Sequence, residues 1–134
     1  MGNDQENSHK KLIVWQVADE LASKIYEVTA KFPREEVFSF TSQLRRAALS
    51  VPLNIVEGFA RNNKNEFRHF LSISLGSLAE TGYLLEFSLK QKFLSKEEFT
   101  ELNGLRDRCG QLLWKLYKSQ SERGNTQNSM GETK

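Results

Sequence analysis

Residues 42–61, which read SQLRRAALSVPLNIVEGFAR, decide the fold of this chain. Apolar residues recur in this stretch at every third or fourth position, which is the spacing of one face of an α-helix. Pro52 lies inside the pattern and removes the helical hydrogen bond to the carbonyl of Ala48. Because the apolar spacing continues unbroken past Pro52, we predict one helix over residues 34–61, kinked at the proline rather than divided by it. Its apolar face is Val37, Phe40, Leu44, Ala48, Val51, Ile55 and Phe59.

Three further helices are predicted around this one. The first covers residues 13–30 and ends before Pro33, because the residue that precedes a proline avoids the helical conformation. The third covers residues 63–92 and begins at Asn63. The fourth begins at the capping box formed by Ser95 and Glu98 and ends near Ser119.

The connections between these helices are short, which makes neighbouring helices antiparallel. The sequence therefore predicts an all-α fold, an antiparallel up-down-up-down four-helix bundle over residues 12–118. We expect residues 1–11 to form a flexible polar arm. Residues 119–134 contain one apolar residue, Met130, and are predicted to be a disordered polar tail.

The composition limits the classes of protein to which the chain can belong. Its 134 residues include 19 Lys and Arg against 17 Asp and Glu, a net charge of +2, so a nucleic-acid site needs a local cluster of cations. The single cysteine, Cys109, excludes an intrachain disulfide and a cysteine-based zinc site. No apolar run reaches the ~18 residues of a membrane span, and the polar N-terminus is not a secretory signal. We expect a cytoplasmic protein without a membrane partner.

The sequence offers little for catalysis. Glu66 and His69 have the Glu-x-x-His spacing of di-iron bundles, but such a site needs two of these pairs, and the other histidine, His9, lies in the N-terminal arm. There is no phosphate loop, dinucleotide fingerprint or nucleophile elbow. Cys109 falls on the apolar face of the fourth helix, where a cysteine is an inert core residue. We therefore expect no metal, no cofactor, no catalytic residue and no enzymatic activity.

Cations are concentrated around the predicted turn between the second and third helices. The segment 44–76 has five Lys and Arg against two Glu, a net charge of +3 that exceeds the charge of the whole chain. One interpretation is an ordinary solvated turn. The other is that symmetric copies of the cluster form a basic ring, which holds phosphates with an affinity that falls as salt rises. The candidate nucleic-acid-binding residues are Arg45, Arg46, Arg61, Lys64, Arg68 and His69.

The second helix has more apolar surface than one helix of a small bundle needs. Either its core face is unusually wide, or the additional residues meet another subunit, since large exposed apolar patches mark interfaces. A stripe of small residues on the third helix would allow another helix to approach closely. The candidate oligomer interface is Leu49, Leu53, Val56, Ser72, Gly76 and Ala79.

A polar stripe follows another face of the second helix. Within it Glu57 precedes Arg61 by four residues, the favourable order for an ion pair on a helix. The stripe is either a solvated face with weak surface pairs or a partly buried network that fixes the subunit arrangement. The candidate network is Arg46, Asn54, Glu57, Arg61 and, from the third helix, Glu80.

Six segments of the sequence carry a resemblance to a known family. They are Val14-Trp15-Gln16, Phe32-Pro33, residues 43–52 (QLRRAALSVP), residues 54–61 (NIVEGFAR), Glu66-Phe67 and residues 76–80 (GSLAE). Over about residues 12–118 the chain closely resembles the four-helix bundle family of 23S rRNA intervening-sequence proteins. The resemblance implies a ring-shaped homopentamer, with one kinked second helix and no catalytic residues. It places the family's motif on Arg45, Arg46, Asn54, Glu57, Arg61, Glu66 and Glu80.

A related branch of this family is the accessory variability determinant of diversity-generating retroelements, whose basic pentamers bind a reverse transcriptase and nucleic acid. Three functions follow as expectations. The first is a non-enzymatic homopentamer that binds nucleic acid, structured RNA above all, through a basic surface. The second is an accessory subunit that binds the reverse transcriptase of a diversity-generating retroelement. The third is a structural bundle without a nucleic-acid role.

Overall fold

The computed structural model describes the backbone of residues 8–132 and the side chains of residues 8–120. Short turns of other helical types lie before the first and the second long helix: a 3₁₀ helix at Ser8–Lys11, a 3₁₀ turn at Arg34–Glu36 and a π-helical segment at Val37–Thr41. The described part of the chain contains no strand, which confirms the predicted all-α class. The four long helices are α1 (Ile13–Thr29), α2 (Ser42–Ala60), α3 (Lys64–Lys90) and α4 (Lys96–Glu132).

The core lies between one face of each long helix. α1 packs on α2, α2 on α3, α3 on α4, and α4 returns to α1, which is the arrangement of the predicted up-down-up-down bundle. Burying one large aliphatic side chain stabilises the fold by about 1.5–3 kcal/mol. The largest fully buried aliphatic side chains come from all four helices, and those of α2 lie on its predicted apolar face: Leu21, Ile25, Leu44, Val51, Ile55, Leu71, Leu85, Leu102 and Leu113.

Side-chain caps explain where α3 and α4 begin. Ser95 Oγ accepts the backbone N–H of Glu98 at 3.1 Å, and Glu98 Oε1 accepts the backbone N–H of Ser95 at 2.9 Å, which confirms the predicted capping box. A hydrogen bond from Lys31 and the one from the Ser95 backbone lower the pKa of the Glu98 carboxyl. At the start of α3, Asn63 Oδ1 accepts the backbone N–H of Glu66 at 3.0 Å.

The beginning of the second helix differs from the prediction. The expected apolar face included Val37, but this residue is exposed and its neighbour Phe38 is 97% exposed. The 3₁₀ and π turns before Ser42 do not have 3.6 residues per turn. Extending the α-helical spacing back from Leu44 therefore places Val37 on the buried face, although it is exposed. α2 itself runs through Pro52 without interruption, so the prediction of one helix rather than two is confirmed.

Both ends of the chain include helical segments where the structure describes them. In the N-terminal arm, Ser8–Lys11 forms a 3₁₀ helix, and residues 1–7 lie outside the described residues. The predicted tail begins at Ser119, yet α4 continues to Glu132. Residues 119–132 contain no proline that would end a helix. Residues 133–134 lie outside the described residues.

Candidate nucleic-acid interface

A tight turn joins α2 to α3 and brings the cations on its two sides to one end of the bundle. Arg61 caps the C-terminus of α2, and Asn62 follows with a φ of 55°, a left-handed conformation that asparagine tolerates better than most residues. Asn63 then caps α3 through its side chain. Only two residues therefore separate Arg61 from Lys64, the first residue of α3.

Gly58 allows α2 and α3 to approach closely beside this turn. A Cβ atom at Gly58 would lie 2.7 Å from Phe70 Cβ, 3.0 Å from Phe67 Cδ1 and 3.3 Å from the Phe67 carbonyl oxygen. Phe70 Cβ and the Phe67 carbonyl belong to or adjoin the backbone of α3, so neither atom can rotate away. Both phenylalanines make further contacts at this end of the bundle. Phe67 packs edge-to-face on Phe59, and the guanidinium of Arg61 lies over the ring of Phe70.

Replacing Gly58 with alanine is expected to lower the free energy of unfolding, because overpacking usually costs about 1–3 kcal/mol. This loss exceeds the gain of up to about 1 kcal/mol from higher helix propensity. Gly104→Ala is the matched control, because a Cβ atom there meets nothing within 4 Å. We expect it only to raise the free energy of unfolding through higher helix propensity. Urea denaturation of both variants measures the difference. Equal stabilisation by the two substitutions would contradict the close contact.

The cations of the turn have no acidic partners in the described part of the chain. The ion pairs found there join other residues. Arg61 instead lies over the ring of Phe70, 5.0 Å from its centroid, and Arg68 lies 5.7 Å from the centroid of Tyr117. These aromatic contacts orient the guanidinium groups without neutralising them. We define the basic turn as Arg61, Lys64, Arg68 and His69.

A cavity of about 340 Å³ opens beside the basic turn, between the first turns of α3 and the middle of α4. Four of its lining side chains come from α3, and Tyr117 comes from α4. Tyr117 stacks on Trp114 with the ring centroids 5.5 Å apart and the planes at 18°, and Trp114 is 52% exposed. Sequence reasoning missed these aromatics, although their spacing of three residues places both on one helical face. The lining residues are Asn65, Arg68, His69, Ser72 and Tyr117.

Two of the predicted nucleic-acid-binding residues lie away from the basic turn. Arg45 Nε donates to Thr29 Oγ1 at 2.8 Å, and its Nη2 donates to the Tyr26 carbonyl at 3.1 Å. The same guanidinium lies 4.6 Å from the centroid of the Tyr26 ring, so Arg45 ties α2 to the end of α1. Arg46 is exposed. Both lie 15 or 16 positions before Arg61, about 22–24 Å along the helix at 1.5 Å per residue.

The predicted polar stripe of α2 forms only part of a network within one chain. Asn54 Nδ2 donates to Ser50 Oγ at 2.9 Å, and Ser50 Oγ lies 2.8 Å from Ser77 Oγ of α3. Gln43 donates to Glu80 at 3.5 Å. The charged members Arg46, Glu57, Arg61 and Glu80 are all exposed, and the described side chains show no ion pair among them.

The predicted oligomer interface is exposed in the single chain. Leu49 and Leu53 are 48% and 53% exposed, whereas Val56 is half-buried. On α3, Ser72, Gly76 and Ala79 are exposed, and a Cβ atom added at Gly76 would meet nothing within 4 Å. The additional apolar sector of α2 therefore does not belong wholly to the core of one chain.

Other chemistry has little support in the residues that the structure describes. Burial raises the pKa of the Cys109 thiol to about 12, so the thiol stays protonated and unreactive near neutral pH. Among the described side chains, those of residues 8–120, there is no group of three or more His, Cys, Asp or Glu arranged to hold a metal ion. No helix in that part of the chain is long and apolar enough to cross a membrane.

Comparison with known proteins identifies relatives of the chain. A family model described as "23S rRNA-intervening sequence protein" matches residues 10–115. Among solved structures, the chain is similar to a protein of unknown function from the S23 ribosomal protein family of Bacteroides thetaiotaomicron. The two are 23% identical with a TM-score of 0.73, over 85% of this chain and 98% of that one, which shows a shared fold. No curated protein matches the sequence.

Proposed function

The chain belongs to the 23S rRNA-intervening sequence protein family, and we propose that it is a non-enzymatic bundle that assembles as a homopentamer and binds nucleic acid, structured RNA above all, through the basic turn. The observation that supports this most directly is the uncompensated charge. Arg61 and Lys64 are exposed, Arg68 is half-buried, and none of the three pairs with an acid of the described chain. Phosphate groups are the ligands that such a cluster attracts.

Assembly explains how a chain with a net charge of only +2 binds a polyanion. One basic turn offers a few phosphate contacts and a weak, salt-sensitive affinity. A closed ring repeats the turn around its axis, and several turns can engage one RNA at the same time. Linked contacts of this kind raise the overall affinity by orders of magnitude without any new type of contact.

The proposed function is tested by measuring the mass in solution together with the binding of a fluorescent RNA hairpin at two salt concentrations. We expect a species of about 77 kDa, five copies of the 15.4 kDa chain. Its affinity for RNA should fall by about 1,000-fold or more between 50 and 200 mM salt, as for a protein that contacts several phosphates. A stable monomer, or RNA binding that salt does not change, would contradict the proposal.

A second candidate function is that of a protein adaptor, such as the accessory subunit of a reverse transcriptase. Phe38 favours it, because an aromatic side chain that is 97% exposed next to the exposed Val37 is typical of a docking contact. Both residues lie at the end of the bundle opposite to the basic turn. A pentamer that fails to bind RNA at low salt would favour the adaptor.

A further inference from the structure

The cavity beside the basic turn has a lining that suits a phosphate group. Arg68 and His69 supply nitrogen donors, Asn65 supplies an amide and Ser72 and Tyr117 supply hydroxyls. None of these five lining residues is an acid. Arg68 is held over the Tyr117 ring, so its guanidinium is already oriented at the cavity rather than extended into solvent. A charged oxygen entering the cavity would meet donors from both α3 and α4.

The wall of the cavity continues into an aromatic surface. Tyr117 lines the cavity and stacks on Trp114, whose indole keeps 52% of its surface exposed. Nucleobases stack on exposed aromatic rings, and one such contact changes affinity by roughly 5- to 150-fold. Tyr117 contacts both Arg68 and Trp114, so the phosphate donors adjoin an exposed aromatic surface through this one residue.

The size of the cavity and the aromatic surface beside it together favour one form of nucleic acid. Its volume of about 340 Å³ lies at the lower end of the range for small-ligand pockets, about 300–1,000 Å³. A single nucleotide fits that range, and only a base outside the duplex stack has a face free to stack on Trp114. In folded RNA the bases that leave the stack belong to loops, bulges and ends.

We infer that this cavity binds one unpaired nucleotide, with its phosphate against Arg68 and His69 and its base stacked on Trp114. The inference rests on the proposed function, since it treats the bound polymer as nucleic acid. It adds that the chain selects unpaired nucleotides, whereas the basic turn alone attracts any polyanion.

The test uses the fluorescence of Trp114 in the assembled full-length protein. A Trp15→Phe substitution leaves Trp114 as the single tryptophan. Adenosine monophosphate should quench this fluorescence to saturation, and inorganic phosphate should compete without quenching. Arg68→Ala should weaken adenosine monophosphate at least tenfold. Arg108→Ala removes an exposed arginine of α4 that does not line the cavity and should change nothing.

The stacking contact has its own pair of variants. Trp114→Ala should weaken an oligoadenylate about 5- to 150-fold, whereas Trp114→Phe, which keeps an aromatic ring, should retain most of the affinity. Anisotropy of a labelled oligoadenylate measures both. Equal losses in the alanine and phenylalanine variants would overturn the stacking role.

The remaining outcomes separate this inference from the proposed function. If the RNA hairpin binds but neither adenosine monophosphate nor oligoadenylate quenches Trp114, the nucleotide cavity is wrong and the basic turn stands. If inorganic phosphate binds as tightly as adenosine monophosphate, the cavity is an anion site only and the inference fails. If the mononucleotide quenches but the hairpin does not bind, the nucleotide cavity stands and the proposed function fails.

Discussion

Simultaneous replacement of Arg61, Lys64 and Arg68 by glutamate is expected to abolish RNA binding. The three substitutions change the charge of each chain by −6 and replace phosphate-attracting groups with phosphate-repelling ones. If each cation contacts one phosphate of single-stranded RNA, the slope of log affinity against log salt should fall by about 2 per subunit engaged. Anisotropy of a labelled RNA across a salt series measures both the affinity and the slope.

A charge-matched control separates the site from the net charge of the protein. Arg34, Lys90 and Lys96 are exposed and lie at the other end of the bundle, where α2 begins, α3 ends and α4 begins. Replacing these three with glutamate gives the same net charge. We expect that variant to keep most of its RNA affinity, while helicity and mass stay unchanged in both. Equal losses in the two variants would show that the overall charge, rather than the basic turn, governs binding.

Most of the fold is predictable from the sequence because the signals are local. The capping box of Ser95 and Glu98 depends on residues three positions apart, and the same holds for Asn63 and Glu66. The apolar stripes depend on a period that an undisturbed α-helix keeps. Where the helix type changes, as in Val37–Thr41, the period changes with it, and the sequence alone gives no sign of the change.

The candidate site is less predictable because its residues meet across the fold. Arg45 lies close to Arg46 in a basic stretch, but its partners Thr29 and Tyr26 are on another helix. The reverse applies to Tyr117, which is far from Arg68 in sequence and contacts it in the structure. A count of charges along the chain finds the cluster at the α2–α3 turn. It cannot show which cations are hydrogen-bonded to a neighbouring helix, as Arg45 is.

The exposed surfaces of α2 and α3 bear on how copies of the chain assemble. The hydroxyls of Ser50 on α2 and Ser77 on α3 are in hydrogen-bond contact. Leu53 lies one turn after Ser50 and Gly76 directly precedes Ser77, so both are close to this contact between the two helices. The exposed sector of α2 carries Leu49 and Leu53, whereas on α3 the small residues Gly76 and Ala79 adjoin Ile73, which is 39% exposed. A contact between two unlike surfaces is heterologous, and heterologous contacts generate rings when the rotation closes. In the proposed ring, the leucines of one copy would pack on Gly76 and Ala79 of the next.

Leu53→Glu is expected to break this assembly into single chains. In the proposed interface, the substitution removes a leucine of which about half remains to be buried on assembly, a loss of about 1 kcal/mol per interface, and places a carboxylate there without a partner, which costs more. In the isolated chain Leu53 is 53% exposed, so the bundle itself should fold normally. Light scattering after size exclusion should show the mass fall from about 77 kDa to the 15.4 kDa of one chain.

Two further variants distinguish loss of assembly from loss of folding. Ile13→Glu introduces the same charge at a residue of α1 that is 55% exposed and lies outside the predicted interface, so the mass should not change. Gly76→Leu tests the opposite surface. A Cβ there meets nothing within the chain, and leucine is the better helix former by about 1 kcal/mol, so the monomer should become more stable while the ring is lost. A pentamer that persists in both Leu53→Glu and Gly76→Leu would show that the copies meet through other faces.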